Sequence, residues 1–256
     1  PDEVVMLKEK LSKLAKVLEE TIDIQRLIQI ANDVENLEWE EPSFNRLNNK
    51  IRIGLARDDA FCFTYEDNVS LLKDCGAEIV EFSPLNDEKL PEDIHGLIFS
   101  GGYPELHGEK LSTNKPMLKD IRGKLDAGMP CMAESGGFMY LHEELEGIDG
   151  KMYPMVGFVK GRCFHAGKLS RFGYVTLSPK ENQMLPQGSI VKGHEFHYWN
   201  TDNDGKSWQA ERTSGRKYDC IHGSESLMLG FPHVFYYSNP ELPYSFLVAC
   251  NRHAEE

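Results

Sequence analysis

No apolar run in this 256-residue chain comes near the ~20 residues needed to cross a bilayer. The opening residues are polar and helical in pattern, without the short apolar core and small-residue cleavage site of a secretory signal, so none is expected. A basic excess is also missing: 28 Lys and Arg stand against 41 Asp and Glu, a formal net charge of −13. A nucleic-acid partner needs a basic face to displace counterions, so none is expected, and the acidity reads as a solvated surface. The six cysteines, Cys62, Cys75, Cys131, Cys163, Cys220 and Cys250, contain no C-x-x-C pair. That spacing predicts neither a zinc site nor a disulfide framework and fits small core residues of a reduced, cytoplasmic protein. No internal repeat or low-complexity segment is evident. What is present is an ordinary globular composition, 40% hydrophobic and 10% aromatic, enough for one large domain or a domain with an appendage.

The first fifty residues differ from the rest. Leu7, Leu11, Leu14 and Leu18 recur at helical spacing among Lys and Glu. A second helical face carries Ile24, Leu27, Ile28 and Ala31, before Glu40-Glu41-Pro42-Ser43 breaks the pattern. Residues 1–50 thus read as a helical connector and 51–256 as the main domain. From Ile51 strands and helices alternate: strands near 51–56, 78–82, 96–100 and 130–133, helices near 68–75 and 116–127, and a helix from Gly136 into Glu144. This alternation predicts an α/β fold with a mostly parallel sheet and helices on both faces. Residues 155–220 are richer in short strands, partly antiparallel in expectation, and Pro243–Cys250 reads as a terminal helix.

Reactive groups in open α/β sheets gather at the carboxyl ends of strands. One such end is Ser100-Gly101-Gly102-Tyr103-Pro104-Glu105; the other is Ala133-Glu134-Ser135-Gly136-Gly137, a strand running into a helix through Ser-Gly-Gly. The second has the form of a nucleophile elbow, which needs small neighbours so that the turn can close. In it the N–H of Gly136, with a second donor from Gly102, would bind an oxyanion. As a bare tripeptide, Ser-Gly-Gly equally describes a tight connection with a helix cap. A nucleophile also needs a base, and His194, His197, His222 and His233 lie late in the chain. A metal is not expected at His194-Glu195-Phe196-His197, because strand positions three apart face opposite sides.

Six ordered blocks, residues 56–61, 82–85, 101–106, 133–137, 171–175 and 193–198, together resemble the C-terminal glutaminase half of the cobyrinic acid a,c-diamide synthase family. The resemblance covers roughly Ile51 to Cys250. It implies a class I glutamine amidotransferase fold with a flavodoxin-like core. It also implies an activity: hydrolysis of glutamine to glutamate, with ammonia passed to an ATP-dependent synthetase half that amidates corrin side-chain carboxylates in cobalamin biosynthesis. The partners implied are glutamine and that synthetase domain or subunit, with a homodimer left open. No cofactor is implied in this domain, and ATP and Mg²⁺ are expected in the synthetase half. The N-terminal helices resemble the end of that half, whose phosphate-binding loop is missing here, so the chain reads as a fragment or a stand-alone piece. The family's cysteine nucleophile falls on Ser135. Counting back from Ser238-Asn239-Pro240 places its histidine on His233, with His197 as the competing base, and its oxyanion pair on Gly102 and Gly136. Gly101, Tyr103, Glu134, His194, Glu195 and His197 are the implied substrate-binding residues. No acid stands two positions after His233, where Phe235 is found, so a dyad is expected.

The serine changes the chemistry. A thiol near pKa 8.5 readily becomes a thiolate beside a histidine, whereas a hydroxyl must lose its proton during attack. Three readings stay open: a serine introduced to trap glutamine, a natural serine in a domain that no longer hydrolyses it or that relies on free ammonia, and a working serine hydrolase built on Ser135 and His233. A non-catalytic domain that docks on a synthetase through the N-terminal helices is the alternative of a different class.

Overall fold

The computed structural model describes residues 6–40 and 42–255; residues 1–5, Glu41 of the expected break, and Glu256 lie outside them. Along the chain come α1 (Leu7–Thr21), α2 (Ile24–Asn32), β1 (Ile51–Ala56), α3 (Glu66–Asp74), β2 (Ala77–Phe82), β3 (Gly96–Phe99), α4 (Gly108–Thr113), α5 (Lys115–Asp126), β4 (Cys131–Glu134) and α6 (Gly136–Tyr140). Next are β5 (His142–Glu146), β6 (Met152–Pro154), β7 (Val159–His165), β8 (Arg171–Pro179), β9 (Val191–His197) and β10 (Trp199–Thr201). The last elements are β11 (Trp208–Arg212), β12 (Lys217–Cys220), β13 (His222–Gly223), β14 (Leu227–Gly230), β15 (His233–Val234) and α7 (Glu241–Glu255).

The chain divides into two units, Pro1–Ser43 and Phe44–Glu256. In the first, α1 and α2 form as their periodicity predicts, and Asp23 caps α2 by accepting the Arg26 N–H at 2.9 Å. Neither helix has a buried residue. The second unit begins ahead of the expected residue 51, because Phe44 and Leu47 pack on its core and the Leu47 N–H donates to the Cys75 carbonyl at 2.9 Å.

A six-stranded sheet of order β13-β14-β4-β3-β1-β2 organises this unit; all its neighbours are parallel except the edge pair of β13 and β14. Successive strand residues point to opposite faces, and the packing follows that period. Leu97, Phe99, Cys131, Ala133 and Leu229 join one core with Met117 and Ile121 of α5. Ile53, Leu55, Ile98, Met132 and Met228 join the other with Leu72 of α3 and Phe246 of α7. Helices therefore cover both faces, as expected. Beside it stand a four-stranded sheet, β10-β7-β5-β6, and a five-stranded antiparallel sheet, β12-β11-β8-β9-β15.

Two expected helices have other limits. The helix after Ser135 ends at Tyr140, because His142–Glu146 pairs with β6 and β7 instead. Its Glu-rich sequence suits a helix, and the sheet edges outbid that local preference. The terminal helix begins at Glu241, whose N–H is accepted by Asn239 Oδ1 at 3.2 Å, and with no breaker after Cys250 it continues to Glu255.

Trp208 is 1% exposed, and its indole N–H donates to Gln183 Oε1 at 2.8 Å. Trp208→Ala is expected to cost about 3–5 kcal/mol, read as a lower urea midpoint at unchanged m-value.

Candidate active site

β3 and β4 lie side by side with Phe99 opposite Ala133, so the turns leaving them are neighbours. Ser135 takes φ 49° and ψ −111°, in the positive-φ half that residues with a Cβ seldom enter. The surroundings hold it there: its N–H donates to the Gly230 carbonyl on β14 at 2.9 Å, and its own carbonyl accepts the Met139 N–H at 2.9 Å. Backbone strain of this kind costs about 1–3 kcal/mol and exposes a side chain at the turn. Since α6 has only five residues, the field at Ser135 comes from a few local N–H groups rather than a long helix dipole.

Close approach explains the glycines of the neighbouring turn. A Cβ on Gly102 would lie 2.1 Å from the Ala60 carbonyl oxygen, and one on Gly101 would lie 2.3 Å from His233 Cε1. A Cβ on Gly136 would come 3.0 Å from the Gly102 nitrogen, so these two backbones meet. Asp58 ties the other side together: it accepts the Ala60 N–H at 2.8 Å, the Leu85 N–H at 2.9 Å and the Ser83 hydroxyl at 2.7 Å. The sequence blocks at 56–61, 82–85 and 101–106 thus converge on one corner.

His233 arrives from the other direction. β14 runs beside β4; after Phe231 and Pro232 the chain enters β15 beside β9, with His233 opposite His194. His233 is 6% exposed, and its Nδ1 stands 3.4 Å from Glu134 Oε2. Glu134 Oε1 accepts the Val234 N–H at 3.2 Å. Asn68 on α3 clamps the same segment, donating to the Val234 carbonyl at 2.7 Å and accepting the Tyr236 N–H at 2.9 Å. The expected dyad therefore has a carboxylate beside it, supplied by the residue before Ser135 rather than by one after His233.

His197, the competing base, is differently placed. Its Nδ1 donates to the Trp199 carbonyl at 2.6 Å, its ring stacks on Phe231 with centroids 4.0 Å apart, and its Nε2 is 3.8 Å from Glu195. Glu195 is 1% exposed, lies 3.3 Å from Arg171 Nη1 and accepts the Tyr218 hydroxyl. Burial pushes the Glu195 carboxyl up, but His197, Tyr218 and Arg171 together hold it below its ordinary pKa. Arg171 also pairs with Asp204 at 2.5 Å and sits 4.3 Å over the Tyr218 ring. His194 stacks 6.2 Å from His233, and burial, then the charge of His233, lowers its pKa.

A cavity of about 400 Å³ opens over this corner, within the range of small-molecule sites. Of the residues expected there, Gly102, Tyr103, Ser135, His194, His197 and His233 line it. Gly101, Glu134, Gly136 and Glu195 stand behind the lining: Gly101 and Glu134 against His233, Gly136 against Gly102, and Glu195 under Arg171. Residues 52–235 match the CobB/CobQ-like glutamine amidotransferase domain.

The chain belongs to that family.

Among curated relatives, the cobyrinate a,c-diamide synthase of Picrophilus torridus is 38% identical over 243 residues, 94% of this chain and 53% of the relative. That of Clostridium acetobutylicum is 36% identical over 244 residues, 93% of this chain and 54% of the relative. The chain thus spans about half the length of the relatives it matches. A solved glutamine amidotransferase structure aligns with a TM-score of 0.55 at 15% identity, over 78% of this chain and 98% of that one. The PurLQS structure from Thermotoga maritima aligns at 0.50 and 16% identity, over 80% and 99%. These last two likenesses bear on the fold. No helix among the described residues is long and apolar enough to cross a membrane.

Several wall residues of this amidotransferase domain escaped the sequence reading. Phe172, Phe196, Tyr198 and Trp199 form an aromatic side, and Phe63, Glu105 and Met139 complete it. The alternation of His194, Phe196 and Tyr198, the last just past the end of β9, was the available signal for Phe196 and Tyr198. Glu105, in the short 3₁₀ turn Pro104–His107, is 8% exposed, and its buried Oε2 has no hydrogen-bond partner among the described residues. Burial pushes its carboxyl from 4.5 up to about 7.

That shift has a direction in stability. Between about pH 4.5 and 7 the folded state holds the Glu105 proton that the unfolded chain releases, so stability is lost as pH rises through 7. Glu105→Gln is expected to raise Tm at pH 8 and leave it unchanged near pH 4.5, by scanning calorimetry; an equal gain at both would contradict it.

Proposed function

We propose that this chain is the glutaminase part of a cobyrinate a,c-diamide synthase, supplying ammonia to a synthetase half that uses ATP and Mg²⁺ to amidate corrin carboxylates in cobalamin biosynthesis. The observation that carries this reading is the meeting of Ser135, Gly102 and His233 on one cavity, at the carboxyl ends of adjacent parallel strands, in a chain of the CobB/CobQ-like family.

The chemistry follows from the placement. The group at position 135 attacks the side-chain amide carbon of glutamine, with its proton passing to His233. The N–H groups of Gly102 and Gly136 bind the oxygen on which negative charge develops. Glu134, with Oε2 3.4 Å from His233 Nδ1, orients the imidazole by its position rather than through a formed hydrogen bond; it acts as a positioning residue rather than the substrate ligand of the sequence expectation. His233 then returns the proton to the departing nitrogen, releasing ammonia, and water completes hydrolysis of the acyl intermediate to glutamate. With serine at position 135 the first step lacks a preformed thiolate, so the chain as it stands turns over glutamine slowly.

Ser135→Cys is expected to raise glutaminase activity at least about 100-fold, the low end of what a positioned proton-transfer step contributes. In that background Glu134→Gln is expected to lower kcat about tenfold or more, with a smaller change in KM. Failure of Ser135→Cys to release ammonia from glutamine, with the synthetase half supplied, overturns the amidotransferase reading. The Glu134 carboxylate also favours a second reading, a Ser135–His233–Glu134 hydrolase. In that case a fluorophosphonate probe labels Ser135 and His233→Ala abolishes the labelling; an unlabelled wild-type chain removes this reading.

A further inference from the structure

The wall of the cavity has an uneven charge that the proposed chemistry does not use. Ser135 and His233 serve the amide end of the substrate, yet glutamine also brings an ammonium and a carboxylate. Glu105 is the one carboxylate among the lining residues, and no Lys or Arg stands with it there. It is 8% exposed, its Oε2 has no hydrogen-bond partner among the described residues, and its turn is pressed against the nucleophile: Pro104 Cδ lies 2.8 Å from where a Cβ of Gly136 would be. A buried carboxylate left unpaired is costly. The cost is recovered when a cation arrives with enough hydrogen bonds to satisfy it. Phe63, Tyr103 and Trp199 line the same space, and aromatic faces attract ammonium groups.

We propose that Glu105 is the receptor for the α-ammonium group of L-glutamine, and so the residue by which this cavity selects the free amino acid over other carboxamides. The proposal rests on the glutaminase reading and adds to it the substrate contact that sets specificity. Two features favour a ligand role over a merely buried acid. The carboxylate lines the cavity that holds the nucleophile, and among the described residues it has no cationic partner. Glu134 and Glu195, also buried, each have partners from the protein.

The slow turnover expected of Ser135 allows binding to be measured directly. Isothermal titration of the chain at pH 8 would compare L-glutamine with glutaramate, which keeps the amide and the carboxylate but has hydrogen in place of the ammonium. The wild-type chain is expected to bind glutamine at least about tenfold more tightly, as a charge-assisted hydrogen bond of about 1.5–3 kcal/mol requires. Glu105→Gln is expected to lose that preference through weaker glutamine binding, with glutaramate affinity unchanged. A Glu105→Gln chain that keeps the wild-type preference overturns the proposal and leaves the glutaminase reading intact, as does a wild-type chain that binds both compounds equally. If neither the wild-type nor the Ser135→Cys chain binds glutamine or releases ammonia, the functional reading fails and takes the proposal with it.

Discussion

The pairing of β14 beside β4, with Gly230 opposite Glu134, is the constraint on which the rest of the site depends. The Gly230 carbonyl takes the Ser135 N–H and holds that residue in a backbone shape it would not choose alone. From Gly230 only Phe231 and Pro232 separate the parallel sheet from the antiparallel one. His233 is therefore delivered to the cavity that Ser135 lines by a connection too short to wander. The alternation of strand residues between two cores fixes the register of this pairing, since a slip of one residue would exchange the faces of Met228 and Leu229.

Around that joint three acidic groups are buried and a fourth, Asp204, is half-buried, and their partners differ. Glu195 is held ionised because the His197, Tyr218 and Arg171 contributions outweigh its burial. For Asp204, beside the same Arg171, burial prevails and its pKa is raised. Glu134 receives a backbone N–H and faces a histidine. Glu105 has no ion-pair partner among the described residues, and burial outweighs the lowering from a backbone hydrogen bond, so its carboxyl is pushed up to about 7. The contrast separates carboxylates that hold the framework from one that stands on the cavity wall with no ion-pair partner among the described residues. His197 is held through one ring nitrogen, its Nδ1 on the Trp199 carbonyl, while its Nε2 stands 3.8 Å from Glu195 with no hydrogen-bond partner among the described residues.

Ser135 lines the cavity that His233 also lines, with a carboxylate beside that histidine and a short helix after the serine. The first arrangement is what hydroxyl attack requires, and the second weakens what would most help a thiolate. The geometry is thus less biased toward cysteine than the elbow motif alone implies, which is why the hydrolase reading stands beside the amidotransferase one.

The parallel sheet and its covering helices were legible in the sequence, because apolar strands and amphipathic helices write their periods locally; β1 falls on the expected Ile51–Ala56. The Ser135 turn and the glycines of the neighbouring turn were also legible, since close backbone approach restricts which residues fit. Other features came only from tertiary structure. The segment His142–Glu146 has helical composition, and strand partners distant in sequence made it β. Glu134 is a substrate-binding residue by resemblance, yet the β14–β15 step brings His233 beside it. Glu105 is one acid in a polar turn until the fold closes over it. Most of the elements and the Ser135 turn are written along the chain, because they depend on neighbours in sequence. Which charges face one another was decided by the fold, because burial and pairing depend on neighbours across it.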